Sequence, residues 1–436
     1  RGMHDSAPLD QGDIHCVYEE IPLKDVIEKP RVKNFNKSKI LLTSLSLLLL
    51  LACVIALFIL VSSKLSPPTS ALEFFPHSNE DEARLRRMVD EINGMSNVTW
   101  KAEYNALAAI KGKNISEEHG ADYQSLLIEG LSMDESMDIQ ILQDTESHLF
   151  YLASQSIDLP ASFDAREKWS DCSSMHHIQN QGGCGSCWAA AATAAISDRL
   201  CISSNHTKQQ LISTQDLTAC CDFCGRCQGT YGSILPFVYW KMHGIVSGGS
   251  LGSSDGCRPY EISSTCGSPC PRYFYQKKFN PTCERKCQSS FDGDYESDLG
   301  KAKSVYFVKM GSRHRQITEK GYRQYVETMN AINLTSTELV KRELFLHGPV
   351  SMCFKVHEPL MHYRSGVYTR TSWLQTPTND DMAYGHCMKM IGWGEESGEA
   401  YWTIANSWGG EWGEKGFAKI SMNYLPEEMT VVAGLW

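Results

Sequence analysis

Hydrophobic and polar positions change pattern several times along the chain. ILLTSLSLLLLLACVIALFILV, Ile40 to Val61, carries no charge across 22 residues, enough at about 1.5 Å per residue to cross a hydrocarbon core of roughly 30 Å. It offers no polar face to water, which predicts a membrane-spanning helix rather than a buried core helix. EDEARLRRMVDEI, residues 80–92, puts Leu85, Met88, Val89 and Ile92 on one face at helical spacing and predicts a short amphipathic helix. CWAAAATAAISDRL, directly after Ser186, is a strong helix former with no Gly or Pro until well beyond Leu200. Glycine-rich and cysteine-rich loops fill residues 220–300. Beyond Val350, SMCFKV, HCMKMIGW and YWTIANSW are rich in aromatic and branched residues and are broken by glycines, the pattern of strands. A helical half is therefore followed by a β-rich half, and no repeat of fixed period is visible.

Charge and cysteine usage place these elements. With 436 residues, 42% of them hydrophobic, the chain can hold more than one domain. Its net charge of −10 comes from residues 62–158, which carry 17 Asp/Glu against 7 Lys/Arg, while the remainder balances. No basic run interleaved with aromatics occurs, so nucleic-acid binding is excluded. Lys29, Arg31, Lys33, Lys37 and Lys39 crowd the N-terminal flank of the apolar run, and only Lys64 follows closely, which sets the N-terminus in the cytosol. The run is longer than a cleavable signal core and follows 39 polar residues, so an uncleaved signal anchor is expected; cleavage after Ser63 is the alternative.

The expected organisation is a cytosolic tail (1–39), a transmembrane anchor (40–62), a linker with an acidic segment (63–158) and a main domain (159–436). In the tail, YEEI (Tyr18 to Ile21) resembles tyrosine-based sorting signals of endolysosomal membrane proteins, and an inert tail is the plainer reading. KLSPPTSA, from Lys64, is an extended spacer. Everything after the anchor is then lumenal or extracellular, endolysosomal or at the cell surface, and secreted if the anchor is cleaved. Of 17 cysteines, 15 lie between Cys172 and Cys387, which suits an oxidising compartment, and the glycosylation triplets at Asn97, Asn114, Asn205 and Asn333 fall on the same side.

QNQGGCGSCWAAAAT, from Gln179, holds two cysteines three residues apart. A thiol with a pKa near 8.5 is under roughly 1% ionised at about pH 5–6, so a nucleophile there needs a lowered pKa. Cys187 opens the alanine-rich helix, whose N-terminal dipole favours a thiolate, and a histidine could hold the counter-charge. His386, in AYGHCMKMIGWG, precedes a strand-like run, and Asn406 follows 20 residues later, able to orient an imidazole. CCDFCGRC, Cys220 to Cys227, has zinc-like spacing but no matching Cys pair or His cluster; no metal or cofactor is expected.

With CGSCW, the His386 and Asn406 motifs, LPASFDARE, GIVSGG, GCRPYEI and EMTVVAG, the chain from Leu159 to Trp436 resembles the papain family of cysteine proteases, and most closely its cathepsin B branch. The resemblance implies an α+β fold of a helical and a β-rich, barrel-like lobe, with protein or peptide substrates and a monomeric enzyme. It implies Cys187 as nucleophile, His386 as general base and acid, Asn406 as the orienting residue, and Gln181 as oxyanion donor beside the Cys187 N–H. Trp408 would shield the Asn406–His386 bond. Gly229, Thr230, Tyr231, Cys353, Cys387, Trp408 and Thr430 fall at substrate-side positions of the family. The implied disulfides are Cys172–Cys201, Cys184–Cys227, Cys220–Cys283, Cys221–Cys224, Cys257–Cys287 and Cys266–Cys270. Cys353 and Cys387 replace alanines, either as small buried residues or as an extra disulfide beside His386.

His386 follows Cys187 by 199 residues, more than the family's usual separation, so insertions are expected at Cys257–Cys287, where the branch carries an occluding loop, and on the surface near residues 308–337. No His occurs between His243 and His314, where the branch has the histidines that grip a C-terminal carboxylate, which predicts endopeptidase action. Thr430 replaces an acidic S2 residue, so preference for Arg at P2 should fall. Thr230 replaces a glycine and is expected to crowd the S3 side. The acidic segment is placed like an inhibitory propeptide, and NVTWKAEYN around Trp100 reads like the cathepsin B proregion. A catalytically silent relative that keeps the cleft as a binding module is the main alternative, and an adhesion ectodomain a third.

Overall fold

The computed structural model describes residues 79–105, 135–230, 232–264, 281–311, 317–369, 384–424 and 426–436. The expected tail, the apolar run 40–61, the spacer, Asn114, Tyr231, Cys266 and Cys270 lie outside the described residues. Among the described residues no helix is long and apolar enough to cross a membrane.

The apolar spacing read at residues 80–92 is that of helix α1 (Asn79–Gly94), which buries Leu85, Met88, Val89 and Ile92. Asn93 clamps the following strand β1 (Trp100–Ala102) by bonding both the N–H and the C=O of Ala102, at 3.0 and 2.9 Å. The next described element is the 20-residue helix α2 (Glu135–Ser154). Short β2 (Phe163–Asp164) then opens the main domain.

Helix α3 (Cys187–Ser203) is buried along most of its length. Its alanines remove the bulk that would hold it off the sheet. The charges it buries are paired: Asp198 meets Lys389 at 2.7 Å, and Arg199 donates to Glu343, Tyr306 and the carbonyls of Gly348, Pro349 and Gly434. Strand β3 (Leu211–Ile212) pairs with β4 (Ser247–Gly248), and helices α4 (Thr214–Cys220) and α5 (Leu235–Met242) complete the helical half.

The β half comprises β5 (Ser304–Lys309), β6 (Val350–Val356), β7 (Tyr363–Tyr368), β8 (Tyr384–Glu396), β9 (Glu399–Ala405), β10 (Phe417–Ser421) and β11 (Thr430–Leu435). Their order is β1-β7-β10-β9-β8-β6-β11-β5, with β2 added beside β8. β1 and β5 are thus opposite edges of one sheet, with the long strand β8 between them.

Disulfides join Cys172 to Cys201, Cys184 to Cys227, Cys220 to Cys283, Cys221 to Cys224 and Cys257 to Cys287. Of the two readings of Cys353 and Cys387, the structure forms the bridge: the residues face each other across β6 and β8, with Cα atoms 4.1 Å apart. Asn97, Asn205 and Asn333 are exposed.

The insertion expected on the surface near 308–337 also contributes to the core. It contains helix α6 (Glu319–Ala331), N-capped by Thr318, and buries Ile317, Tyr325 and Ile332. A capping box of Thr335 and Glu338 then starts helix α7 (Ser336–His347).

Candidate active site

Cys187 is the first residue of α3, and among the described residues it is the free cysteine. The N-cap residue Ser186 does not cap the helix with its side chain; its hydroxyl bonds the Tyr260 hydroxyl at 2.8 Å, and Tyr260 in turn donates to the Gln181 carbonyl. The positive end of the helix is therefore left to the thiol. Gly185 makes the turn before it, packing where an added Cβ would lie 2.5 Å from the Cys227 carbonyl oxygen. The Cys184–Cys227 disulfide pins the same crossing.

His386 lies on β8, and Asn406 directly follows β9, which pairs antiparallel with β8. Their side chains meet at 2.8 Å, His386 Nε2 to Asn406 Oδ1. The Ser407 backbone N–H donates to the same atom at 2.8 Å, so that atom must be the acceptor oxygen of the amide. His386 Nε2 then carries the proton, which makes Nδ1 the basic nitrogen of the neutral ring. Trp408 stacks on the imidazole with ring centres 4.6 Å apart and is itself buried. Trp408 therefore covers the imidazole that Asn406 holds.

Gln181 is buried and held at both ends. Its Nε2 donates to the Cys184 carbonyl at 2.9 Å, leaving one N–H, and its Oε1 accepts from Ser407 Oγ at 2.7 Å. The Gln181 N–H also donates to the Ser407 carbonyl at 2.8 Å. Ser407 thus joins the Gln181 and Asn406 side chains from both its backbone and its hydroxyl, a role sequence reasoning did not assign to it or to Tyr260. Adjacency to Asn406 was the available signal for Ser407, and the motif GCRPYEI, which contains Tyr260, was the signal for that residue.

Burial works against charge on both reactive groups. It pushes the Cys187 thiol up to about 11, although backbone N–H groups of Cys387, Trp188 and Cys187 pull it the other way. It pushes His386 down to about 4 against the Asn406 hydrogen bond. The site is therefore neutral as it stands. In the unprocessed chain, iodoacetamide modification of Cys187 should accelerate about tenfold per pH unit from about pH 6 to 9, because only the thiolate reacts. A rate already flat over that range would mean a preformed ion pair and overturn this assignment.

The remaining positions divide. Thr430 stands opposite Cys353 in register, but it is 1% exposed and its hydroxyl accepts the Gly311 N–H at 3.1 Å, so it braces a turn rather than presenting a free floor. Cys387 is also buried, whereas Cys353 is partly exposed. The Thr230 hydroxyl bonds the N–H and C=O of Gly232 within its own loop. Gly229, at φ +102, has open space where a side chain would go. Ligand atoms of His148, Glu343 and His347 lie within 4.8 Å of one another, but the carboxylate already accepts from Arg199, Tyr306 and His148, which leaves a cation little to bind.

The profile of the papain family cysteine protease matches residues 159–431. The chain belongs to the papain family of cysteine proteases. This peptidase is 36% identical over 364 residues to cathepsin B-like cysteine proteinase 3 of Caenorhabditis elegans, spanning 82% of this chain and 84% of that one. It is 38% identical over 280 residues to the gut-specific cysteine proteinase of the same organism, spanning 63% and 73%. The solved structure of procathepsin B S9 from Trypanosoma congolense shares the papain-like α+β fold, with a TM-score of 0.53 and 26% identity over 80% of this chain and 97% of that one. The peptidase is thus a cysteine-type hydrolase with cathepsin B-like relatives.

Proposed function

We propose that this peptidase is an endopeptidase that cleaves peptide bonds through an acyl-enzyme on Cys187, made as a membrane-anchored zymogen. The observation that carries the reading is the tautomer that Ser407 and Asn406 impose on His386, with a free thiol at the start of α3. His386 Nδ1 takes the thiol proton, the sulfur attacks the scissile carbonyl, and the imidazolium returns the proton to the departing amine. Water activated by the same imidazole then releases the acid and regenerates the thiol. The remaining Gln181 N–H and the Cys187 N–H hold the oxyanion.

Residues 79–105 supply the inhibitory prosegment in this reading. α1 is tied to the domain by paired Arg84–Glu358 bonds at 2.8 and 3.0 Å, and β1 adds a strand to β7. The uncharged run 40–61 anchors the zymogen, with the peptidase domain lumenal or extracellular. Endopeptidase action follows from the absence of histidine between His243 and His314.

Labelling of the processed protein with an epoxide that traps papain-type thiolates tests the chemistry, beside a Cys187→Ala control. Labelling lost in the control, with internal peptide bonds cleaved faster than dipeptides leave a free C-terminus, is expected. Absence of labelling after proven removal of residues 79–105 would sink the protease reading in favour of a silent binding module. Fast dipeptide release would sink only the endopeptidase assignment.

A further inference from the structure

Helix α2 lies outside the stretch that matches the family, yet it is built into the peptidase domain. Ile141, Leu142, Leu149 and Leu152 are buried in the main core, and Thr145 and His148 are buried on the same face. The helix covers β5, the outermost strand, and satisfies its edge. Thr145 Oγ1 accepts the Phe307 N–H at 3.1 Å, and Asp144 accepts the Val305 N–H at 3.4 Å while pairing with Lys241 at 2.6 Å. His148 stacks on Tyr306 with ring centres 3.7 Å apart and meets Glu343 at 2.6 Å. At the far end of the helix, Arg342 of α7 donates to the Leu152 carbonyl at 2.9 Å.

The insertion helix α6 packs against the same helix. Gln324 reaches Glu146 at 3.3 Å, and Gly321 sits so close that an added Cβ would lie 2.9 Å from Leu142 Cδ1. The helix that precedes the family's domain and the helix inserted within it therefore form one layer over β5. The prosegment piece 79–105 engages the opposite edge of the sheet, where β1 extends β7. The hydrogen bonds and ion pairs that seat α2 are with β5, α5, α6 and α7, and none of them involves Cys187, His386, Asn406 or Gln181.

We propose that α2 is not shed with the prosegment but stays seated on β5, α6 and α7 as a permanent part of the mature enzyme, covalently or as a bound fragment. Bare β5 would present unpaired N–H groups and an apolar surface, the features that promote association between sheet edges. This rests on the reading of residues 79–105 as the removable segment, so the test avoids the chain's own activity.

The full chain carrying Cys187→Ala is nicked by added pepsin at acid pH, and the folded fraction from gel filtration is analysed by mass spectrometry under denaturing conditions. A peptide spanning residues 141–152 is expected in the folded fraction at one copy per domain. A fraction that starts near residue 159, lacks that peptide and melts at the same temperature would overturn the proposal. With Ile141→Ala and Leu149→Ala combined, retention should fall more than roughly tenfold, since each truncation removes a buried side chain from the seat. Unchanged retention in that variant would also count against it. Self-processing of the wild-type chain bears on the protease reading alone, so the failures are distinguishable.

Discussion

Replacing Glu343 by Ala is expected to cost about 3–5 kcal/mol of unfolding free energy, because it strands the buried Arg199 charge. The Arg199 and Glu343 side chains are 3% and 0% exposed and meet at 2.7 Å. The carboxylate also accepts from Tyr306 at 2.8 Å and His148 at 2.6 Å, so one truncation leaves three partners without their acceptor. Burial alone would push the Glu343 carboxyl up, but His148 and Arg199 outweigh it and hold the group well below the usual carboxylate range. The sign follows: this stabilisation is complete above the ordinary Glu range and is lost only as pH falls through the depressed value. It therefore persists at mildly acid pH. Thermal melting should show a drop of roughly 10 °C. The double variant Glu343→Ala with Arg199→Met should recover part of that loss, because it removes the stranded charge as well. A single-variant melting point within about 2 °C of wild type would refute the account.

Replacing His386 by Ala in the processed enzyme is expected to lower kcat on the order of 10⁴-fold or more, with a much smaller change in KM. In the proposed mechanism the imidazole is the base, with its Nε2 held by Asn406 Oδ1 at 2.8 Å. Asn406→Ala keeps the base but loses its orientation, and should cost on the order of 10²-fold. Steady-state kinetics on a peptide amide, with melting temperatures measured in parallel, separates these losses from unfolding. An alanine variant at His386 that keeps kcat within tenfold of wild type would remove the residue from the mechanism.

Local pattern made several elements readable in advance. The face formed by Leu85, Met88, Val89 and Ile92 needs only the helical period, and α1 buries those four side chains. The alanine run after Ser186 is a helix because nothing in it breaks one, and SMCFKV, HCMKMIGW and YWTIANSW supply β6, β8 and β9. α2 escaped that reading. Its buried face includes Thr145 and His148, polar residues that an apolar period does not count. α6 was missed for a similar reason, since its buried Tyr325 sits among charged and polar neighbours.

The sequence by itself determined the chemistry on offer: a thiol at the start of a helix, an imidazole before a strand, an amide to orient it, and cysteines in number to staple the loops. Those are properties of residue type and near-neighbour spacing, and they survive without coordinates. Tertiary structure alone decided which Asn406 atom faces His386, because the Ser407 N–H selects the oxygen, and which proton the imidazole therefore carries. It also decided that Cys353 and Cys387 bridge, that Trp408 is covered, and that α2 and α6 meet over β5. Each of these depends on groups far apart in the chain whose contact comes from strand register and packing, and neither is written in local periodicity.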